Sequence, residues 1–158
     1  MTAETLTAIR AASGVGVIGH GIAGNVKCAY GSYDIAAVVE DGDIFELVRV
    51  PKGATVIGGW LMAADIDTGT ETLDMDIGWA ANGDEIADPD GFGNLATWTG
   101  DVSVHLGAAG NYFPLQGVLL TAGPKTFNAE TMIQVEANTA SHGGHVGMIT
   151  AVVLYVMP

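Results

Sequence analysis

Basic side chains are scarce in this chain, which has five Lys and Arg residues against 18 Asp and Glu residues and a formal net charge of −13. Binding to a phosphate backbone needs clusters of Lys and Arg, so we expect no nucleic-acid partner. An anionic membrane surface is excluded for the same reason. The negative charge either keeps the protein dispersed in solution or guides it to a basic surface, and the composition leaves both roles open.

Cysteine is nearly absent as well, because Cys28 is the only one. A single cysteine cannot form an intrachain disulfide, which excludes a small secreted domain held together by such bonds. We expect Cys28 to be a small buried apolar residue rather than a nucleophile, since Lys27 is the only charged residue beside it.

Long apolar runs and targeting signals are also lacking. The longest apolar stretch, 148–157, has ten residues, whereas a membrane-spanning helix needs about 20. The N-terminus carries Glu4 early and has no basic segment before an apolar one, so it does not resemble a signal peptide. We therefore expect a cytoplasmic protein, or one assembled from the cytoplasm, with no membrane partner.

Catalytic motifs are missing too. No serine lies in a G-x-S-x-G context. The pattern G-x-G-x-x-G occurs at 14–19, but a dinucleotide site needs a helix that begins at this loop. The next residues, 20–24, include Gly21 and Gly24 and cannot form that helix. We predict that the chain is not an enzyme and binds no cofactor.

The histidines offer one metal candidate. His142 and His145 are three residues apart and could share a metal ion. Together with His105 they leave open a cupin-like metalloenzyme. No Cys or carboxylate motif accompanies the pair, so we expect a polar turn before the last strand and no metal. The acidic stretches 65–71 and 84–91 do not keep the ligand order of a calcium-binding EF-hand loop.

The chain is rich in glycine, with 23 residues, and its many β-branched residues favour short strands joined by tight turns. Five of these glycines fall within 14–24, after a possible short helix over 2–12. We predict that residues 1–25 are an N-terminal arm that orders only against a partner. Its predicted interface residues are Leu6, Ile9, Val17 and Ile18.

Residues 26–158 are predicted to form one all-β domain with eight or nine strands, spaced as in a sandwich or barrel. Alternation is clearest over 72–80, where Leu73, Met75, Ile77 and Trp79 share one face. Gly31 and Ser32 predict a hairpin turn. The candidate strand segments are 26–30, 33–40, 44–50, 54–64 with a kink at its paired glycines, 72–80, 102–106, a part of 112–121 after Pro114, 125–127, 132–137 and 148–157.

The polar, glycine-rich segment 81–100 is predicted to be a long loop that contacts a partner. Within it, Phe92 and Trp98 are predicted interface residues. Trp60 and Trp79 lie in predicted strands, and we expect both in the core. Trp98 and the acidic residues of the loop leave open a second function, a carbohydrate-binding β-sandwich on a virion or cell surface.

A series of turns and alternating strands over 44–92 is similar to a known pattern. The stretches that carry it are FEL at 45–47, VPKGA at 50–54, DTG at 67–69, TLDMDIG at 72–78 and DPDGF at 88–92. This series resembles small virion proteins of tailed bacteriophages, in particular capsid decoration (cement) proteins. It is a pattern of turns rather than of catalytic residues, and it covers about a third of the chain.

The resemblance implies a jelly-roll β-sandwich that binds and stabilises the phage head. It implies the major capsid protein as partner, a homotrimer that sits over the junctions between capsomers, and a place on the capsid surface after assembly in the host cytoplasm. It carries over no site residue, because such proteins have no active site.

Overall fold

The computed structural model describes residues 26–67, 72–97, 111–143 and 147–158. The predicted arm over 1–25 and the predicted strand over 102–106 lie outside these ranges. No helix within them is long and apolar enough to cross a membrane. The elements are β1 (Val26–Ile35), β2 (Ile44–Val50), β3 (Thr55–Ala63), β4 (Asp74–Trp79), β5 (Asp88–Thr97), β6 (Asn111–Pro114), the helical turn α1 (Val118–Thr121), β7 (Lys125–Thr126), β8 (Thr131–Thr139) and β9 (Gly147–Val156). The strand predicted after Pro114 is wrong, because β6 ends at Pro114 and the residues of α1 are helical.

The strands form two antiparallel sheets that pack as a sandwich. Sheet A has the order β1-β9-β3-β6, with β7 also paired to β3, and sheet B has the order β2-β8-β4-β5. The first strand pairs with the last and the second with the last but one, while β4 pairs with the next strand, β5. This nested pairing is what one long antiparallel ribbon gives when it is rolled up, which is a jelly roll. The prediction of an all-β jelly-roll sandwich is therefore confirmed.

The core lies between the two sheets and is built from alternate residues of each strand. In β4, Met75, Ile77 and Trp79 are buried, as the alternation predicted. Sheet A contributes Ile149 and Val153 from β9, which are both fully buried. Removing such apolar side chains from water contributes about 25 cal/mol for each Å² buried and is the main force that holds the sheets together.

Strand β1 is continuous, so the predicted hairpin at Gly31 and Ser32 is wrong. All ten of its residues pair with β9. Gly31 is instead the point where β1 passes closest to β2, since a Cβ atom there would lie 1.8 Å from the carbonyl oxygen of Leu47. Leu47 occupies a β-bulge of β2. The bulge also shifts the alternation of β2, because the buried residues Phe45 and Val48 are three positions apart instead of two.

Residues 88–97 form β5, so the predicted loop over 81–100 is wrong for this part. Pro89 and the glycines around it suggest a turn, but β5 is the outer strand of sheet B, and edge strands tolerate proline. Its pairing with β4 contains two register shifts. Gly91 is required for packing, because a Cβ atom at this position would lie 2.2 Å from the Trp79 ring.

Phe92 belongs to the core, which corrects its predicted role at an interface. Its ring is fully buried, with its centroid 5.2 Å from that of Trp79 and 6.4 Å from that of Phe127. The ammonium of Lys125 lies 4.7 Å from the centre of the Trp79 ring and 2.8 Å from the carboxylate of Glu85. Because Phe92 is enclosed in this cluster, its side chain cannot reach a second protein.

Candidate interaction face

The outer side of sheet A is formed by the residues of its four main strands that point away from the core. The register places Tyr30, Val152 and Trp60 side by side across three strands. We call this surface the A face. Its members are Val26, Cys28, Tyr30, Ser32 and Asp34 of β1, Met148, Thr150, Val152, Leu154 and Val156 of β9, Thr55, Trp60 and Met62 of β3, and Tyr112 and Pro114 of β6.

The A face is apolar, and Asp34 is the only charged residue among its members. The outer face of an antiparallel sheet normally carries polar side chains. Here Tyr30 is 76% exposed and Met148 is 53% exposed. The rings of Trp60 and Tyr112 lie beside each other, 6.4 Å apart between centroids. A broad apolar surface of this kind marks a site of contact with another molecule.

The Ser and Thr hydroxyl groups on the A face are hydrogen-bonded within the sheet. The side-chain oxygens of Ser32 and Thr150 lie 2.8 Å apart across β1 and β9, and those of Thr55 and Thr126 lie 2.8 Å apart across β3 and β7. These pairs leave fewer polar groups that would lose a water partner when the face is covered. Covering these four side chains therefore costs little in lost hydration.

Two sequence predictions are corrected on this face. Cys28, expected to be buried, is exposed on the edge strand β1, because both faces of that strand are largely open. Trp60, expected in the core, is half-buried and points outward from β3. Trp79, for which the same prediction was made, does lie in the core.

The outer side of sheet B is acidic instead. Glu46, Asp76 and Glu136 point outward from β2, β4 and β8, and the register places Asp76 directly beside Glu136. Like charges on neighbouring strands repel each other. Ile44 and Arg49 also lie on this side, so the outer side of sheet B is mixed with a net negative charge, whereas the A face is largely apolar.

Two aspartates of sheet B, Asp76 in β4 and Asp88 in β5, have pKa values above the usual value for aspartate. Burial raises the pKa of Asp76, and the charges of Asp90 and Asp74 raise it further. Burial also raises the pKa of Asp88, together with a hydrogen bond to Asp90 and the charge of Asp90, while Lys125 opposes the change. In the folded protein these two groups hold a proton more readily than ordinary aspartates do.

Asp67 is a fully buried carboxylate that joins two loops. Its Oδ2 accepts hydrogen bonds from the backbone N–H groups of Thr72 and Leu73 at 2.6 and 2.8 Å, and its Oδ1 accepts from those of His142 and Gly143 at 2.8 and 3.3 Å. Burial alone would raise the pKa of Asp67, but these four bonds to the ionised form lower it. The carboxylate thus fixes the segment before β4 against the segment after β8.

Of the predicted metal candidates, only His142 lies within the described residues. His142 lies exposed after β8, and its partner in that prediction, His145, is outside the described residues. Within the described ranges, no group of three or more His, Cys, Asp or Glu side chains is arranged to hold a metal ion. The predicted interface residues Leu6, Ile9, Val17, Ile18 and Trp98 also lie outside the described part of the chain.

The A face was missed in the sequence, although β9 carries a signal for it. A strand that is apolar on both sides is covered on both sides, whereas a strand with one face in water alternates. Residues 148–157 are almost continuously apolar. One set, which includes Ile149 and Val153, enters the core, and the other, which includes Val152 and Leu154, lies on the A face.

Comparison with solved structures finds the same fold in phage capsids. A chain of the cyanophage Pam1 capsid asymmetric unit aligns with a TM-score of 0.63 and 21% identity, over 85% of this chain and 86% of its own length. A chain of the acid-stable capsid of Helicobacter pylori bacteriophage KHP30 aligns with a TM-score of 0.60 and 18% identity, over 85% of this chain and 89% of its own length. A chain of the capsid of Ralstonia phage GP4 aligns with a TM-score of 0.59 and 21% identity, over 84% of this chain and 85% of its own length.

No family model matches the chain, and no curated protein matches it in sequence. At identities of 18–21%, the likeness to the three capsid chains shows a shared fold. It covers most of each chain, so it concerns the whole sandwich rather than a single motif. The predicted resemblance to phage capsid proteins is confirmed at this level, that of the jelly-roll fold.

Proposed function

We propose that this chain is a structural virion protein, a decoration (cement) protein that binds and stabilises the head shell of a phage. Its partner is the major capsid protein, it acts as a homotrimer on the capsid surface, and it is assembled in the host cytoplasm. The role is structural rather than catalytic. The fold shared with chains of three phage capsids supports this proposal.

The observation that carries the proposal is the A face. A protein that works through contacts with other proteins needs a broad apolar surface, and Tyr30, Trp60 and Met148 supply one on the outside of the sandwich. Apolar surface buried in such contacts contributes about 25 cal/mol for each Å², less the cost of ordering the partners. Many identical contacts around a shell then add to its stability.

For the contact with the shell itself we propose the residues predicted from the sequence. Leu6, Ile9, Val17 and Ile18 would bind the major capsid protein through the N-terminal arm, and Trp98 would add an aromatic anchor. A segment that becomes ordered on docking adds contact area but loses conformational entropy as it does so.

Co-sedimentation with empty heads, built from the major capsid protein of the same phage genome, tests the proposal. We expect the full chain to pellet with the heads and to raise the temperature at which they break. Replacing Leu6, Ile9, Val17 and Ile18 by Ser is expected to abolish pelleting, whereas the control Ile86→Ser, at an exposed turn residue, is expected to pellet normally. Failure of the unmodified chain to bind any form of the head would overturn the proposal.

The carbohydrate-binding alternative receives no support from the described residues. It depended on a long acidic loop over 81–100, and half of that segment is strand β5. Its key aromatic residue, Trp98, lies outside the described ranges.

A further inference from the structure

Resting on the proposed function, we infer that the A face is the surface on which a second copy of this chain packs. In a closed trimer, the A face of each copy contacts its neighbour around the axis. The A face then makes the contact between copies, while the N-terminal arm and Trp98 make the contact with the shell.

Charge is the first reason for choosing a second copy as the occupant. Each chain has a formal net charge of −13, so two copies repel each other over most approaches. On the A face the only charged residue is Asp34, which the register places at one end, opposite Met148. A basic partner would gain nothing here and would favour the acidic side of sheet B, with Glu46, Asp76 and Glu136.

The second reason is that this face is suited to a dry contact. Its Ser and Thr hydroxyl groups already pair across strands, Ser32 with Thr150 and Thr55 with Thr126. Trp60 and Tyr112 offer the aromatic surface that is enriched in the centres of protein interfaces. Strands of ten residues at about 3.3 Å each and strand spacings of about 4.8 Å give the face a projected area of roughly 500 Å², which is more than half of the roughly 800 Å² that each partner buries in a standard interface.

The edge of sheet A gives a third reason. Among the described strands, β1 pairs only with β9, so its other edge faces no partner strand in the part of the chain that the structure describes. A long exposed edge strand invites association unless another chain covers it. Cys28 lies on this strand, exposed on the A face, and it is the only cysteine in the chain. A covering copy would shield both the edge and the thiol.

The test uses Cys28 as a built-in probe together with light scattering after size-exclusion chromatography. The variants are Tyr30→Glu and Met148→Glu, at exposed positions of the A face, and the control is Ile86→Glu, at an equally exposed turn residue. We expect a trimer for the unmodified chain and for the control, with slow alkylation of Cys28 by a maleimide. We expect monomers for both A-face variants, with alkylation faster by about tenfold or more, since each places a new negative charge in the contact. Circular dichroism confirms that each variant is folded, and either A-face variant alone suffices for the test.

Three results would overturn the inference. An unmodified chain that is monomeric with rapid alkylation would mean that the A face is free. A monomer with slow alkylation would mean that the chain covers its own face, for example with residues 1–25. A trimer whose Cys28 reacts rapidly and which tolerates Tyr30→Glu would place the contact elsewhere. In each case binding to empty heads is measured in parallel, so the proposed function can survive even where this inference fails.

Discussion

Asp67 is the residue whose single side chain does most to join separate parts of the chain. It accepts four backbone hydrogen bonds while fully buried. We predict that Asp67→Asn lowers the free energy of unfolding by about 3 kcal/mol, because the amide accepts with one oxygen and turns its NH₂ group toward N–H donors. Urea denaturation at neutral pH measures the loss.

The matched control is Asp43→Asn. Asp43 accepts a hydrogen bond from the backbone N–H of Glu40 at 2.8 Å in an exposed turn, and its loss is expected to cost about 0.5 kcal/mol. Equal losses for Asp67→Asn and Asp43→Asn would contradict the role assigned to the buried carboxylate.

The aspartates also predict how stability depends on pH. The folded pKa values of Asp76 and Asp88 lie above the ordinary 3.8, so acidification first stabilises the fold as these two groups take up protons. The folded pKa of Asp67 lies below 3.8. Its stabilising contribution is therefore complete above that pH and is lost as the pH falls through the folded pKa.

Unfolding measured across the acidic range is expected to show stability that rises as the pH falls toward 3.8 and that declines once the pH is well below it. In Asp67→Asn the fall is expected to be weaker. A stability that decreases steadily from neutral pH downward, with no rise, would contradict the raised pKa values of Asp76 and Asp88.

Gly31 determines how closely strand β1 lies against strand β2. A Cβ atom at this position would meet the carbonyl oxygen of Leu47, whereas one at Gly58 of β3 would meet nothing within 4 Å. We predict that Gly31→Ala destabilises the protein by about 3 kcal/mol, because backbone rather than a flexible side chain must move. Gly58→Ala is expected to cost far less. Thermal unfolding of the two variants compares them directly, and equal stabilities would show that β1 is not held closely against the bulge.

Much of the strand order could be predicted from alternation and turn residues. Strands β2, β3, β4, β8 and β9 were predicted close to their observed bounds, since each has an apolar pattern between clear turns. Strands β1 and β5 could not be predicted in this way. Gly31 and Gly91 look like turn residues, but they are needed where β1 meets a neighbouring backbone and β5 meets an aromatic ring, and such contacts depend on the tertiary structure.

The A face illustrates the same limit for the candidate site. Periodicity shows that β9 is apolar on both sides, but it does not show which strands lie beside β9. Only the order β1-β9-β3-β6 places Tyr30, Val152 and Trp60 on one surface. For the same reason Trp60 was assigned to the core, since an aromatic residue in a strand gives no sign of which face it occupies.

For the whole molecule, the separation of an apolar face from an acidic one predicts how salt affects assembly. Copies with a net charge of −13 repel each other, and salt screens this repulsion without weakening an uncharged contact. We predict tighter association at about 1 M salt, where the Debye length is about 3 Å, than at about 0.01 M, where it is about 30 Å. Sedimentation velocity at the two salt concentrations measures the change. Dissociation at the higher concentration would point to an interface held by ion pairs.

We propose that this jelly roll decorates a phage head and that its copies assemble through the A face. Cryo-electron microscopy of heads that carry the protein tests both parts in one map. We predict jelly-roll density on the outer surface of the shell, in groups of three, with Tyr30 and Trp60 of each copy buried against a neighbouring copy. A map of complete heads that contains no density for this chain would contradict the claim.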